Sequence, residues 1–393
     1  MLSLNSKLSS NGNRLVTKYW MSRRLAHDVR TGILMLNMGG PETLDDVLPF
    51  LTRLFTDKDI IPLPAQSTLG PLIARRRAPV VRERYQQIGG GSPIKDWTTR
   101  QGTLLTQTLD QLSPESGPHK FYLGFRYAEP LTEDAIATME RDGVMNAIAF
   151  SQYAQYSCST SGSSINAIAR HYIQTIGANA SPKMKWSFID RWPTNAGLVE
   201  AFVDLIQKEI DWFPETKRNQ IVLLFSAHAL PLRAVNKGDS YPTEVSATVV
   251  KVMESLHFKY PYRLVWQSKV GPMTWLAPQT DEALKGFSEK GYKNFILIPI
   301  SFVNEHIETL HELDIEYGRD LAKELKIENI RRCSAPNTHP AFIRGMASIV
   351  KSHMDSGELC SKQLMLRCPL CTKSVCSDTR QWLQSIHDLQ ANK

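Results

Sequence analysis

The sequence predicts an α/β fold of two similar halves, each a doubly wound four-stranded parallel sheet flanked by helices, with a C-terminal extension. Short apolar runs bounded by turn residues alternate with amphipathic segments of helix length, which is typical of βαβ units. The apolar runs fall into two sets of four. Apolar residues make up 42% of the 393-residue chain and charged residues 22%, which is enough apolar material for a substantial core.

The two sets of strands divide the chain. The first set is predicted at about 32–37, 120–125, 146–150 and 185–189, and the second at about 221–225, 262–266, 294–302 and 328–332. A helix from about Leu198 to Phe213 is expected to join the halves near residue 195. We therefore expect a leader (1–30), a first half (31–195), a second half with the catalytic residues (196–340), and a helical extension with a cysteine cluster (341–393).

Charge is concentrated at the N-terminus. Residues 1–30 hold six basic residues and one acidic residue, or +5 of the formal net charge of +7. This composition, rich in Ser, Leu and Arg, is typical of a mitochondrial transit peptide, and a disordered basic tail is the alternative. The rest of the chain carries only 7 − 5, about +2, so we expect no nucleic-acid binding. No apolar run is long enough to cross a membrane as a helix.

Residues 46–80 form an unusually apolar segment that ends in the basic run Arg75, Arg76 and Arg77. An apolar lobe edged by arginines suits a membrane interface, where guanidinium groups meet lipid phosphates. A helical hairpin packed on the core with a solvated basic end explains the same pattern. The residues themselves leave both interpretations open.

Polar residues follow the predicted strands at their carboxyl ends, where open parallel sheets bind ligands. The second half places His228 after one strand, and His306 and Glu308 after another. In an extended strand exit, His306 and Glu308 point to the same side. Neither GxGxxG nor GxxxxGK[ST] occurs, which disfavours a nucleotide enzyme.

Three glutamates, Glu308, Glu312 and Glu316, recur at intervals of four. A solvated helical stripe is one explanation, although the like charges oppose one another. An inward file that shares protons or passes a cation is the other explanation. A local π-bulge would re-aim part of such a stripe, and these bulges favour functional sites.

Three of the six cysteines lie close together, at Cys368, Cys371 and Cys376. They have the spacing of metal ligands but need a fourth thiolate. From spacing alone, Cys360 is the nearest candidate, and a four-thiolate zinc site fits the pattern.

Eight short motifs in order resemble the ferrochelatase family over about residues 30–376. They are LNMGGP (36–41), IGGGSPI (88–94), GFRY (124–127), SQYAQYSCSTSGSS (151–164), IDRWPT (189–194), SAHALP (226–231), YRLVWQSKVGP (262–272) and HIETLHELDIEY (306–317). The resemblance implies a chelatase-like fold and a lyase that inserts Fe²⁺ into protoporphyrin IX to form protohaem, the last step of haem synthesis, with release of two protons.

By this resemblance, His228 is the catalytic histidine, Glu308 its acidic partner across the porphyrin, and His306 a second catalytic histidine. A near-neutral imidazole accepts a pyrrole proton, and carboxylates pass on protons or a divalent metal. Glu312 and Glu316 then lie on the proton or metal path. The resemblance also implies porphyrin-binding residues: Met38, Tyr127 and Trp275 as walls, Arg126 near the reactive face, and Arg77, Tyr85 and Ser92 at the propionates.

The cysteines resemble those of the animal branch of the family, which binds a [2Fe–2S] cluster. That resemblance selects Cys158 as the fourth ligand with Cys368, Cys371 and Cys376, and leaves Cys333 and Cys360 without a role. It also implies a homodimer held peripherally on the matrix side of the mitochondrial inner membrane through residues 46–80.

The sequence departs from the family pattern at three places: Glu305 stands where Asp is common, Ala229 follows the catalytic histidine, and Asn195 follows RWPT. The last of these departures puts in doubt an outer metal-acquisition or proton-exit role, which the resemblance implies at residue 195. A tetrapyrrole carrier without turnover and a chelatase for another metal or porphyrin are the rival functions. The pairing of His228 with Glu308 argues against a carrier, which needs no proton acceptor.

Overall fold

The computed structural model describes residues 29–61, 63–361 and 368–391. Most of the expected leader, residues 1–28, lies outside the described residues. The first half contains four strands, β1 to β4, and five helices, α1 to α5. In chain order these are β1 (Thr31–Asn37), α1 (Val47–Thr56), α2 (Gln66–Gln87), α3 (Ile94–Leu112), β2 (His119–Phe125), α4 (Thr132–Arg141), β3 (Asn146–Ser151), α5 (Ser163–Thr175) and β4 (Lys185–Ile189).

The second half repeats this pattern with strands β5 to β8, and the extension adds two helices. In chain order these are α6 (Ala196–Trp212), α7 (Glu215–Arg218), β5 (Ile221–His228), α8 (Leu232–Asn236), α9 (Tyr241–Ser255), β6 (Tyr262–Gln267), α10 (Thr280–Glu289), β7 (Asn294–Pro299), a π-helix (Glu308–Leu321), α11 (Ala322–Glu324), β8 (Asn329–Arg332), α12 (Pro340–Ser356) and α13 (Ser374–Ala391). Shorter helical turns lie at Pro114–Ser116 and Cys158–Gly162.

The two sheets have the same topology. The first has the strand order β2-β1-β3-β4 and the second β6-β5-β7-β8, and all pairs are parallel. The predicted fold class of two similar four-stranded halves is therefore confirmed. The central strands β1 and β5 carry mostly apolar side chains and are buried except at His228, the last residue of β5, as expected for sheets covered by helices on both faces.

One predicted strand is too long. We expected a strand over 294–302, but β7 ends at Pro299. Ile300 and Val303 remain buried without belonging to the sheet. The apolar run continues past the strand because Phe302 and Val303 line the cavity described below and Ile300 packs in the apolar core, and an apolar pattern does not distinguish these environments from a strand.

A single apolar cluster links the two halves. It contains Ile33 and Phe150 of the first sheet together with Phe225 and Ile298 of the second, all buried. Helix α12 packs on both α3 and α6. Gly345 makes the second contact possible, since a Cβ atom there would lie 3.0 Å from the Gly197 Cα.

Residues 46–80 contribute a helical hairpin, α1 and the first part of α2. Its inner face buries Phe50, Leu51 and Ala74 against Phe125 and Tyr127 of the sheet end. Its outer face exposes three large apolar side chains, which are Leu48, Leu72 and Val80. The hairpin is thus packed on the core on one side while apolar on the other. No helix within the described residues is long and apolar enough to cross a bilayer.

The extension returns to the first half. Leu359, Cys360 and Ser361 run beside β4, where the backbone of Phe188 bonds to Leu359 and Ser361. Helix α13 then packs against α5, and Trp382 stacks on Tyr172 with ring centroids 5.7 Å apart. Cys368 and Cys371, just before α13, line a cavity together with Cys158, which lies in the loop that follows β3.

Candidate active site

The carboxyl ends of four strands line one cavity of about 160 Å³. Both sheets contribute to it, the first through Met38 and Tyr153 and the second through His228, His306 and Glu308. This is the convergence that the strand-end residues predict. Four of the predicted site residues meet here: Met38, His228, His306 and Glu308.

His228 is the last residue of β5, and its imidazole is partly exposed to the cavity. Its Nδ1 lies 2.6 Å from the carbonyl oxygen of Ala229. A carbonyl only accepts hydrogen bonds, so Nδ1 carries the proton in neutral His228 and Nε2 keeps a free lone pair. That Nε2 atom lies 3.9 Å from Oε1 of Glu308. The geometry presents a proton acceptor opposite a carboxylate.

Glu308 begins the π-helix, and Ser268 joins it to Glu312. The Ser268 hydroxyl lies 3.2 Å from Oε2 of Glu308 and 2.5 Å from Oε2 of Glu312. The Ser268 amide donates to the other oxygen of Glu312 at 2.7 Å. Ser268 has a φ of +66°, which turns the chain after β6 so that amide and hydroxyl both face the carboxylates.

Glu312 lies deeper than Glu308 and is closely held. Besides Ser268, it accepts hydrogen bonds from Gln267 Nε2 at 3.1 Å and from the Tyr317 hydroxyl at 3.0 Å. Burial, followed by the nearby charge of Glu308, raises the pKa of Glu312. The raised pKa favours a proton on the Glu312 carboxyl group.

Glu316 has a different environment. Its Oε1 lies 3.0 Å from Arg84 and 3.2 Å from Nδ1 of His311. Arg84 belongs to the last turn of α2, so Glu316 pairs the π-helix with the C-terminal end of α2. The expected file of three carboxylates therefore has two members joined by Ser268 and a third that is neutralised by a guanidinium group.

The π-helix extends over the whole of Glu308–Leu321, where we expected only a local π-bulge. Its i→i+5 hydrogen bonds widen each turn, so residues four and five apart share a face. Tyr317, five residues after Glu312, consequently reaches the Glu312 carboxylate. The like charges are thus separated by hydroxyl donors.

The side chains of His306 and Glu305 contact different groups. The His306 ring packs on Phe302 with centroids 4.7 Å apart, and burial lowers its pKa, which favours the neutral imidazole. Glu305 accepts a charged hydrogen bond from Arg332 at 2.7 Å and one from the Ala335 amide at 2.8 Å. Burial raises the pKa of Glu305, but Arg332 more than offsets this and holds it below its usual value. Glu305 thus belongs to an internal ion pair.

Arg126 and Tyr127 follow β2 and are both anchored by Asp57. The Asp57 Oδ2 atom lies 2.5 Å from Arg126 and 2.7 Å from the Tyr127 hydroxyl. Burial raises the pKa of Asp57, but the Arg126 guanidinium and the Tyr127 hydroxyl bring it below its usual value. An ionised Asp57 therefore fixes two predicted porphyrin-binding side chains. No sequence signal singled out Asp57.

The remaining predicted binding residues are not among those that line this cavity. The Arg77 guanidinium lies 5.9 Å from the Phe55 ring centroid on the hairpin. Tyr85 is buried in the hairpin cluster, close enough for the charge of Glu308 to raise its pKa further than burial alone. Ser92 is buried against Gly40, where a Cβ atom would lie 2.5 Å from the Ser92 hydroxyl. The Trp275 ring lies 6.5 Å from the His228 ring.

Two further tyrosines belong to the cavity, Tyr153 and Tyr241. The Tyr153 hydroxyl accepts from the Met38 amide at 2.9 Å, and burial raises the pKa of both phenols. Tyr153 follows β3, so its position at a strand end identifies it from the sequence as a candidate site residue. Tyr241 begins α9 and carries no comparable signal.

A second cavity, of about 540 Å³, is lined by Cys158, Cys368, Cys371 and Cys376. Cys158 and Cys368 are hydrogen-bonded to each other, and the Asn166 amide lies 3.6 Å from the Cys376 sulfur. Cys360 lies instead beside β4, and Cys333 is fully buried. Within the described residues, no three His, Cys, Asp or Glu side chains already have the geometry of a metal site.

Fold and site together define a two-halved α/β enzyme of the chelatase type, with an imidazole and a carboxylate facing each other across a cleft. The sequence model of the Ferrochelatase family matches residues 30–354. The mitochondrial ferrochelatase of Xenopus laevis is 61% identical over 353 residues, which cover 90% of this chain and 85% of that protein. The mitochondrial ferrochelatase of Homo sapiens is 60% identical over 356 residues, covering 91% and 84%.

The chain therefore belongs to the ferrochelatase family, whose lyases insert iron into a porphyrin. This confirms the predicted family and enzyme class, and the names of the relatives agree with the expected mitochondrial location. Among solved structures, SirB from Bacillus subtilis with Fe³⁺ aligns over 84% of this chain and 98% of its own, with a TM-score of 0.49 and 11% identity.

Proposed function

We propose that the protein inserts Fe²⁺ into protoporphyrin IX, with His228 as the first proton acceptor and Glu308 as its partner on the opposite side. The observation that carries this proposal is the free Nε2 of His228, 3.9 Å from Glu308 in a cavity formed by both sheets. The cavity volume of about 160 Å³ is below the roughly 300 Å³ of common ligand sites. Porphyrin binding thus requires the walls to separate.

The reaction must remove two pyrrole protons as the metal enters. The Nε2 atom of His228 takes one proton because its Nδ1–H is already committed to a carbonyl oxygen. Glu308 takes the second, which leaves a porphyrin dianion whose charge balances the incoming Fe²⁺. Carboxylates hold Fe²⁺ loosely enough to release it to four nitrogens, unlike thiolates.

We assign the onward route to Glu312 and, beyond it, to Glu316. Ser268 and Tyr317 provide hydroxyl groups beside Glu312, which suit proton transfer along the π-helix. Glu316 is paired with Arg84 and serves as an outer member of this path. Arg77, Tyr85 and Ser92 remain our assignments for the propionates, and Met38, Arg126, Tyr127 and Trp275 for the macrocycle.

The test is anaerobic mixing of the purified protein with Fe²⁺ and protoporphyrin IX, followed by absorption spectroscopy. The haem spectrum is expected to replace that of the free porphyrin at a rate proportional to protein concentration. Tight porphyrin binding without metal insertion would instead support the rival function of a carrier.

We propose that Cys158, Cys368, Cys371 and Cys376 hold a [2Fe–2S] cluster. The donor set supports this, because four cysteines line one cavity and such clusters require four thiolates. The Tyr156 hydroxyl is a further sign: Tyr156 is 2% exposed, lines the same cavity, and its hydroxyl has no partner within the described residues. A cluster sulfur there would accept its hydrogen bond.

When bound, the cluster would supply a covalent link between the tail and the loop after β3. Around it, the chain's own residues already hold that loop. The Asp239 carboxylate accepts from the Cys158 amide and from the Ser157 hydroxyl, both at 2.9 Å. These contacts orient Cys158 towards the tail.

We also propose a homodimer bound peripherally to the matrix side of the mitochondrial inner membrane. The resemblance to the family supports the dimer, and its mass of about twice 44.4 kDa is measurable by sedimentation. The outer face of the hairpin, with Leu72 and Val80 exposed by 61% and 57%, supports the membrane contact.

The double variant Leu72→Asp/Val80→Asp should bind anionic lipid vesicles more weakly than the wild type. The reason is that the burial of two apolar side chains is lost and negative charge is added. A loss of at least about tenfold in vesicle affinity is expected, measured by co-sedimentation. Leu112→Asp is the control, since Leu112 is exposed but lies outside the hairpin. Equal losses in the control would contradict the proposed surface.

A further inference from the structure

The C-terminal tail contacts the turn at residues 57–61, which connects the hairpin helices. The ammonium group of Lys373 lies 2.8 Å from the carbonyl oxygen of Asp59 and 3.3 Å from that of Lys58. Lys373 lies just before α13 and between two of the clustered cysteines. It is separated from the turn by more than 300 residues, so the contact exists only in the folded chain.

The same turn carries two residues that define the proposed porphyrin site. Asp57 anchors Arg126 and Tyr127. Ile60 lines the cavity beside Met38. The position of the turn therefore determines where Asp57 holds Arg126 and Tyr127. It also determines where Ile60 lies in the cavity wall.

The turn has other supports besides Lys373. Arg126 and Tyr127 bond to the Asp57 carboxylate, and Gln66 Nε2 donates to the Ile61 carbonyl oxygen at 2.7 Å. Its internal bonds are those from the Asp59 amide to Asp57 Oδ1 at 2.8 Å and from the Ile61 amide to the Asp57 carbonyl at 3.2 Å. From outside, Arg170 reaches the Asp59 carboxylate at 3.2 Å. Lys373 adds a charged donor on two adjacent carbonyl groups, and such charge-assisted hydrogen bonds are stronger than neutral ones.

We propose that Lys373 is a positioning residue for the porphyrin: its ammonium group holds the 57–61 turn, and through Asp57 and Ile60 the turn shapes the cavity. The inference deepens the proposed function and rests on the porphyrin site assigned above. It does not require a cluster, because the contact is made by the lysine itself. It gives the tail a direct effect on substrate binding.

The experiment compares Lys373→Met, which keeps the side-chain length but removes the donors, with Lys373→Arg, which keeps charged donors. For Lys373→Met we expect the KM for protoporphyrin to rise about tenfold, the effect of losing one charge-assisted hydrogen bond, while kcat stays within about twofold. Lys373→Arg should restore the wild-type KM. The control is Lys237→Met, which replaces an exposed lysine beside the same cysteine segment and should leave KM unchanged.

Hydrogen exchange provides a readout without turnover. Amides of the 57–61 turn should exchange faster in Lys373→Met than in the wild type, and not in Lys373→Arg. An unchanged KM together with unchanged exchange would overturn the proposal, and so would an equal KM rise in the arginine or Lys237 variant. A KM rise that accompanies loss of visible colour would also overturn it, because the effect would then come from the cysteines.

The failure of the proposal is distinguishable from failure of the proposed function. If the wild type inserts no iron, the function is wrong, whereas hydrogen exchange still tests whether Lys373 holds the turn. If Lys373→Met does not fold, Lys373→Gln with the same exchange measurement takes its place.

Discussion

At the residue scale, His228 combines a rigid position with a defined tautomer. The backbone carbonyl of Ala229 takes the Nδ1–H, and β5 places the ring at the cavity edge. The side chain at residue 229 is therefore not needed to orient the imidazole. Alanine at this position, a departure from the family pattern, is compatible with a proton acceptor at Nε2.

His228→Ala should abolish iron insertion while leaving the fold and porphyrin binding nearly intact. A general base contributes roughly 100-fold or more to rate, and no core packing is lost at this partly exposed position. Steady-state insertion rates and porphyrin fluorescence quenching measure the two effects. His387→Ala, at an exposed histidine of α13, is the control. A variant at residue 228 with a tenth of the wild-type rate would show that the base is another group.

Substitutions of Glu312 and of Glu316, the two carboxylates that follow Glu308, should lower kcat to different extents. Glu312→Gln should lower kcat about tenfold or more, because Glu312 is buried, keeps a raised pKa and shares Ser268 with Glu308. Glu316→Gln should change kcat by less than about threefold, since its partly exposed pair with Arg84 is worth little. Insertion rates of both variants decide this. Equal and negligible effects would support a solvated stripe.

At the element scale, the π-helix and the C-terminal tail bring together side chains that the regular helices and strands leave apart. The π-helix brings Tyr317 as well as Ser268 to one carboxylate. The tail runs beside β4 and places Cys368 against Cys158 in the loop after β3. Cys360 is held beside β4, so spacing along the sequence is a poor guide to the fourth ligand.

Cys158→Ser should give colourless, unstable and inactive protein, whereas Cys360→Ser should stay red-brown and active. The reason is that loss of a fourth ligand would release a link closing a loop of about 210 residues, at a cost on the order of several kcal/mol. Visible absorption and thermal unfolding of the two purified variants measure this, each serving as control for the other. Colour lost only in the Cys360 variant would reverse the assignment, and zinc without colour in the wild type would contradict the cluster.

At the scale of the whole molecule, the two halves share a core although each has its own sheet. Apolar side chains from both sheets, from α6 and from α12 form one buried cluster. The proposed catalytic cavity takes residues from both sheets. Each half also has a buried apolar cluster of its own, but neither half alone can complete the shared cluster or the site.

A fragment of residues 30–195 should not fold cooperatively when produced alone, because its share of the common cluster, including Ile33 and Phe150, would be exposed. Circular dichroism and thermal melting of the fragment measure this. Co-production with residues 196–393 is the control and should restore a soluble, cooperatively melting complex. A sharp melting transition of the isolated fragment would contradict the shared core.

The sequence by itself determined the strands, the order of the two sets, and the rim that bears His228, His306 and Glu308. These features are encoded locally: a buried parallel strand is a continuous apolar run, and the residue after it lies at the sheet edge. The motifs added the family, which the comparisons confirmed. Prediction erred where an apolar run outlasted its strand, after Pro299, because a strand and a cavity wall demand the same side chains.

Only the tertiary structure decided which distant side chains meet. It placed Asp57 against Arg126, Arg84 against Glu316, Cys158 against Cys368, and Lys373 against Asp59. The partners in these pairs lie between 69 and more than 300 residues apart. Such contacts depend on how helices and loops pack on the sheets, and periodicity along the chain carries no information about that packing.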